Sequence, residues 1–172
     1  AGGPCAFNPE PLADFFDAFV IGDGEQVITQ VADTVIAFKK EGDGQKKTLL
    51  RMLSQIQGVY VPSFFSVSRY GAGHQVLTPV YGDYARIKRA ILPELTLADF
   101  PIAPIVPFGK PVHDRLRLEI ARGCSRGCRF CQAGMIYRPV RERSLKDLLE
   151  ITQASLATTG YSDISLLSLS TG

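Results

Sequence analysis

No stretch of this chain is apolar over the roughly 18 residues that a membrane helix needs, so no span is read from it. The first residues of the chain lack a charged segment followed by an apolar one, so no secretory signal is expected among them. Cysteines are scarce, four in 172 residues, and three of them fall within eight positions. That distribution cannot build a disulfide framework and points instead to a reducing, cytoplasmic setting. Charge of neither sign dominates: 19 Lys and Arg against 17 Asp and Glu leave a formal +2, so bulk charge names no partner. An initiating methionine is also lacking, and the chain stops abruptly at Thr171-Gly172, so the expectation is a piece of a longer protein. What is present in quantity is apolar surface. A hydrophobic fraction of 45% is enough for a sizeable core in one domain or parts of two.

The chain is organised around Cys124-Ser-Arg-Gly-Cys128-Arg-Phe-Cys131, a C-x-x-x-C-x-x-C spacing. It follows Asp114-Arg-Leu-Arg-Leu-Glu-Ile-Ala121, where Leu116, Leu118 and Ile120 alternate with Arg115, Arg117 and Glu119 at the period of a strand. The cysteines therefore sit on a loop leaving the C-terminal end of a strand, with Gly123 and Gly127 freeing the backbone to wrap. Three thiols this close would repel as thiolates or oxidise one another, so a soft metal or an iron–sulfur cluster is the natural occupant. A structural zinc site asks for four ligands in paired groups. Here the fourth could come only from Cys5 or His113, and zinc stands as the less favoured alternative. Three ligands on a four-iron cluster leave one iron open, as three-ligand zinc sites leave a position for substrate.

With Phe130 directly before the last cysteine, the motif resembles the signature of radical S-adenosylmethionine (radical SAM) enzymes. The resemblance implies a 4Fe–4S cluster held by Cys124, Cys128 and Cys131, with S-adenosylmethionine on the open iron. Reduction there releases a 5′-deoxyadenosyl radical. It also implies that Phe130 lies near the adenine. Ser170, Thr171 and Gly172 would stand where the family has a Gly-Gly-Glu segment that contacts the cofactor's amino group; the glutamate is missing here. An electron donor such as flavodoxin or ferredoxin is implied, with no membrane partner.

The N-terminal stretch, residues 1–44, resembles the end of the cobalamin-binding, Rossmann-like domain that precedes the barrel in one subgroup of these enzymes. The matching residues are Gly2-Gly3-Pro4, Pro9-Glu10-Pro11 and Val20-Ile-Gly22-Asp23-Gly24-Glu25. From the residues alone, Ala18-Phe-Val-Ile21 reads as a strand, Gly22-Asp-Gly24 as a turn, and Glu25 to Lys40 as a helix with Val27, Ile28, Val31, Val35 and Phe38 apolar. Strand, glycine turn and helix form the ligand-binding geometry of a doubly wound sheet, and also a plain connection. The resemblance implies Gly2, Gly3, Gly22 and Gly24 as cobalamin contacts. No Asp-x-His-x-x-Gly motif supplies a histidine for cobalt.

A helical stretch is expected after Pro9-Glu10-Pro11, with Leu12, Phe15 and Phe16 on one face, and another over 48–57 with Leu49, Leu50, Leu53 and Ile56 apolar. Gly58 to Phe65 reads as extended. Residues 66–110 read as an ordered connecting arm, since Ile, Leu, Val, Phe and Tyr are too frequent for disorder, with His74 in a loop. Residues 132–143 are expected to be irregular. Ser144 should cap a helix with Leu145, Leu148, Leu149, Thr152 and Leu156 buried and Gly160 at its end, before a second strand over 163–170.

The expected architecture is thus α/β: residues 1–44 the end of a Rossmann-like cobalamin-binding domain, 45–110 a linking arm, and 111–172 the first β–loop–α–β unit of a radical SAM partial (β/α) barrel. Eight arginines (115, 117, 122, 126, 129, 138, 141 and 143) crowd the cysteines. They read as an electropositive shell for an anionic cluster and the cofactor carboxylate. The sharper alternative is a phosphate-bearing substrate such as RNA, disfavoured because no aromatic residues interleave as a stacking platform. The rival class is a non-catalytic, zinc-binding, Arg-rich nucleic-acid module.

Overall fold

A computed structural model describes residues 1–71 and 73–170. The chain divides into two compact units, Ala1–Leu92 and Pro93–Gly172. This is a division by contact, different in kind from the division by ancestry expected at 44/45 and 110/111. The folding is α/β throughout, with four two-stranded sheets among the described residues. No helix of the described residues is long and apolar enough to cross a membrane.

In the first unit, β1 (Phe19–Val20) pairs antiparallel with β2 (Val59–Tyr60). Both strands are only two residues long, shorter than the 18–21 and 58–65 segments expected. Just past β1, Gly22 forms a parallel bridge with Ala90. The approach is so close that a Cβ on Gly22 would stand 2.0 Å from the Ala90 carbonyl oxygen, and φ is +113°. Only glycine fits there. Helix α1 (Glu25–Glu41) then starts directly after Gly24, so the strand–turn–helix order is as expected. Val27 is buried and Val31, Val35 and Phe38 are half-buried, but Ile28 is 62% exposed. One residue is about 100° of helical rotation, enough to carry Ile28 out of a narrow stripe.

Helix α2 (Lys46–Leu53) ends earlier than expected but does bury Leu50 and Leu53. These join Val27, Val59, Val61, Phe64, Tyr84 and Ala90 in the main core, while Ala6, Phe19 and Tyr60 form a second cluster. The helix expected after Pro9 is a single 3-10 turn, Glu10–Leu12, and Phe15 is 77% exposed. Two prolines within three residues leave too few backbone donors to propagate a helix. The supposed arm holds a hairpin, β3 (Phe65–Tyr70) with β4 (His74–Pro79), in register Tyr70↔His74 through Phe65↔Pro79. His74 therefore opens a strand and does not lie in a loop. Most hairpin side chains are exposed on both faces, which removes the alternation by which a half-buried strand is recognised.

In the second unit, β5 (Leu116–Glu119) buries Leu116 and Leu118 and exposes Arg117. It pairs in parallel with β8 (Ile164–Leu167), in register Leu116↔Ile164 through Glu119↔Leu167. Helix α4 (Leu145–Thr159) lies between them in sequence. Ser144 Oγ accepts from the Asp147 N–H at 3.1 Å, and Gly160 ends the helix in the left-handed conformation, φ +72°. The buried side of α4 is Ile151 and Ser155, with Leu148, Thr152 and Leu156 half-buried. Leu145 and Leu149, expected inside, are 73% and 55% exposed, because the stripe is set by Ile151 and Ser155 four residues apart. Between the cysteines and α4 the chain is not irregular throughout: a short α3 (Ala133–Ile136) precedes β7 (Arg141–Glu142), which pairs antiparallel with β6 (Ala121–Arg122).

Tyr84 pins β2 in the first unit. Its hydroxyl donates to the Val59 carbonyl at 2.6 Å and accepts from the Val61 N–H at 3.1 Å. Burial raises its pKa to about 12, and burial beside Glu10 likewise raises that of Tyr60. A folded-state pKa above the ordinary 10 means that the stabilisation is intact below pH 10 and is withdrawn as pH climbs towards 12. Tyr84→Phe should cost about 1–3 kcal/mol, since two buried backbone groups lose their partner. Urea titrations across pH 8–12 should also show a shallower alkaline loss in the variant; equal slopes would refute the assignment to Tyr84.

Candidate functional site

The loop that carries the cysteines is closed at its neck by the β6–β7 pair, Ala121↔Glu142 and Arg122↔Arg141. Gly123 follows directly. It is buried, with φ +93°, and a Cβ there would lie 2.5 Å from the Pro139 carbonyl oxygen and 2.6 Å from that of Tyr137. Those same carbonyls receive Arg141, through Nε to Pro139 at 3.1 Å and Nη2 to Tyr137 at 3.2 Å. Outgoing and returning arms of the loop thus meet at Gly123, over carbonyls that a buried guanidinium holds in place. Gly127 also has a positive φ, +69°, but it stands in open space.

The three site cysteines are reduced. Cys124 and Cys131 are half-buried and Cys128 is exposed. The Arg126 N–H donates to Cys124 Sγ at 3.4 Å, and the Cys131 N–H to the Cys128 carbonyl at 3.0 Å. Among the described residues no three of His, Cys, Asp and Glu converge as a site for a single metal ion. A four-iron cluster makes a different demand, since each thiolate binds its own iron and the thiolates need not meet at one point. The donor set is three soft thiols on a glycine-freed loop with its cysteine-bearing tip open to solvent, and it fits such a cluster. His113 is exposed before β5, at the end away from the cysteine loop, and Cys5 lies in the other unit.

Beside Gly123, where β5 and β8 end, lies a cleft of about 410 Å³. Glu119, Ala121, Arg122, Tyr137 and the run from Leu166 to Leu169 line it. Its charged wall is internally matched: Arg122 Nε and Nη2 donate to the two carboxylate oxygens of Glu119 at 2.9 and 2.8 Å. Phe130 is 93% exposed on the cysteine loop and does not line this cleft. Ser170 is brought to the loop, accepting from Arg126 Nε at 3.1 Å. Thr171 and Gly172, expected beside it, lie outside the described residues.

The arginine crowd is only partly a shell. Arg141 and Arg143 are buried; Arg143 Nε donates to the Glu119 carbonyl at 3.3 Å, its Nη1 to that of Thr96, and its guanidinium lies 5.5 Å from the Phe100 ring centre. Arg138 Nε donates to the Gly134 carbonyl at 2.8 Å. Buried Arg141 and Arg143, half-buried Arg122 and exposed Arg138 therefore hold backbone and carboxylate groups of their own unit, a use that residue counting cannot distinguish from a solvent-facing field.

In the first unit, Gly2, Gly3, Gly22 and Gly24 line one cleft of about 500 Å³ with Ala18, Val20, Ile28, Val31, Leu53 and Val59. All four glycines singled out in the sequence thus reach the same apolar cleft. The exposure of Ile28 is explained here, because it forms part of the lining.

Residues 1–62 match the family model described as radical SAM proteins, N-terminal. This match supports the radical SAM family for the chain. An uncharacterized protein of Methanocaldococcus jannaschii is 30% identical over 175 residues, an alignment taking in 100% of this chain and 31% of that protein. The chain therefore spans about a third of the length of the curated relative it matches. No solved structure matches it.

The two loop glycines should separate in their effects. Gly127→Ala meets no atom and should cost only the left-handed strain, about 1 kcal/mol. Gly123→Ala adds a collision with two backbone carbonyls, so thermal denaturation should show at least twice that loss. Equal shifts in melting temperature would mean that the neck of the loop is not closed as described.

Proposed function

We propose that the chain is part of a radical SAM enzyme in which Cys124, Cys128 and Cys131 hold a 4Fe–4S cluster with one iron left to S-adenosylmethionine. The observation that carries the reading is the independence of two signals. The family match covers residues 1–62, and the cysteine spacing lies at 124–131, so neither borrows from the other. When bound, the cluster supplies the electron that cleaves the sulfonium to a 5′-deoxyadenosyl radical. The chain's own residues do the positioning. The β6–β7 neck and Gly123 fix where the loop leaves the parallel pair, and the cleft at the ends of β5 and β8 offers an apolar floor with a matched Glu119–Arg122 wall. That is the strand end at which a parallel barrel keeps its chemistry, so a partial barrel beginning at β5 is part of the proposal. Phe130, exposed on the loop, is assigned to the adenine, and Ser170 with Thr171 and Gly172 to the amino group. The reductant is a small electron carrier such as flavodoxin or ferredoxin, and the reducing setting of the cytoplasm suits both.

Cobalamin is the proposed second cofactor, in the glycine-lined cleft of the first unit, with methyl transfer through it as the reaction it would serve. Convergence of Gly2, Gly3, Gly22 and Gly24 on that cleft supports this. Absence of side chains at these positions lets a flat ligand approach the backbone closely.

Anaerobic reconstitution of the complete polypeptide tests the cluster. Alanine at Cys124, Cys128 or Cys131 should each abolish incorporation, because two thiolates leave two irons unanchored, whereas Cys5→Ala should retain about four iron and four sulfide per chain, at alternate corners of the cluster. The reduced protein's electron paramagnetic resonance spectrum should change on adding S-adenosylmethionine. Cluster loss in Cys5→Ala, or a spectrum indifferent to the cofactor, would overturn the open iron.

The cobalamin assignment has its own assay. The complete polypeptide should retain hydroxocobalamin through gel filtration. Gly24→Leu should weaken that retention without unfolding the chain, since φ at Gly24 is −93° and a Cβ there meets nothing within 4 Å. Unchanged retention in the variant would move the corrinoid elsewhere.

A further inference from the structure

Arg126 lies inside the cysteine motif, between Cys124 and Cys128, at a position the spacing leaves free. Two hydrogen bonds leave this one residue in different directions. Its backbone N–H donates to Cys124 Sγ at 3.4 Å. Its side-chain Nε donates to Ser170 Oγ at 3.1 Å, 44 residues away and just beyond β8. The residue is exposed, so neither bond follows from packing.

We infer that Arg126 is a positioning residue that latches the cysteine loop to the C-terminal end of β8 and, through the same residue's amide, sets the Cys124 sulfur. The side-chain bond fixes the loop against the strand end. The amide bond places a donor on the Cys124 sulfur and so fixes its orientation, and hydrogen bonds to a ligating sulfur tune the potential of a cluster it holds. The two are mechanically joined, because the amide's direction depends on where the side chain is anchored. A ligand that competes with the guanidinium for the Ser170 oxygen releases the latch and so changes the setting of Cys124. The consequence for cofactor binding rests on the radical SAM reading above; the latch itself does not.

The test begins with the cluster-free complete polypeptide, in which the latch is read without any cofactor. Cys124 and Cys128 are alkylated with iodoacetamide at fixed pH and each is followed by peptide mass spectrometry. Ser170→Ala and Arg126→Ala should each change the Cys124 rate about fivefold, the worth of one hydrogen bond, and leave Cys128 within twofold. The double variant should match the singles, since both remove one link. Arg126→Lys, which keeps a donor of similar reach, should restore the native rate at least in part. An unchanged Cys124 rate in Ser170→Ala, additive effects in the double variant, or equal changes at Cys128 would overturn the latch. Circular dichroism melts accompany each variant, and a Ser170→Ala protein that fails to fold passes the decision to Arg126→Lys against Arg126→Ala.

The second arm uses reconstituted protein. Arg126→Ala should shift the cluster's midpoint potential and alter the change in its resonance spectrum on adding S-adenosylmethionine. If no cluster assembles in the native polypeptide, the enzyme reading fails while the alkylation result still decides the latch. If the cluster assembles and the potential is unmoved by Arg126→Ala, the latch does not reach the sulfur and the inference fails alone.

Discussion

Arg141 is a buried cation that donates to two backbone carbonyls, and the cysteine loop is built around satisfying it. A guanidinium taken out of water costs several kcal/mol unless its donors are met. Here Tyr137 and Pro139 turn their carbonyls towards it, and that fixes the returning arm of the loop. The outgoing arm must then pass the same carbonyls, which leaves room for Gly123 and for no larger residue. Pairing of β6 with β7 follows, because Arg141 is itself the partner of Arg122 in that ladder. Removing the charge would therefore loosen three things together: the neck, the glycine contact and the direction in which Cys124 leaves the sheet.

Arg143, just past β7, repeats the device with partners on other segments. Arg143 joins the Glu119 carbonyl at the end of β5 to that of Thr96 and to the ring of Phe100. In this way the segment before β5, the strand end and the start of α4 are tied by one side chain. Ser144 then caps α4 immediately, so the chain passes from loop to helix without slack.

This explains which features could be read from the residues. The alternation of Leu116 and Leu118 with Arg117, the cap at Ser144 and the stop at Gly160 are local patterns, and each is where it was expected. The cysteine spacing is equally local. What escaped depends on partners remote in sequence. The hairpin of β3 and β4 has no buried face to impose alternation. The 3-10 turn at Glu10–Leu12 looked helical because apolar spacing cannot register missing N–H donors. The arginines looked like a surface field because composition does not say whether a guanidinium faces water or a carbonyl. Ser170 was expected at a cofactor's amino group, and its bond from Arg126 was not foreseen, because the two residues are 44 apart in sequence.

The engaged arginines also bear on what kind of ligand the site suits. Binding a nucleic-acid backbone draws its strength from cations that face solvent and displace condensed counterions from the phosphates. Arg122, Arg138, Arg141 and Arg143, half of the eight, are committed to a carboxylate or to carbonyls within the unit, which halves the crowd available to line up along a polymer. Their charge persists even so, fixed near the thiols and partly screened from water where they are buried. A fixed positive field favours a compact anionic group held at short range over an extended polyanion. The same arginines thus serve twice. They are structural by their hydrogen bonds and electrostatic by their charge, and neither role requires them to touch the ligand.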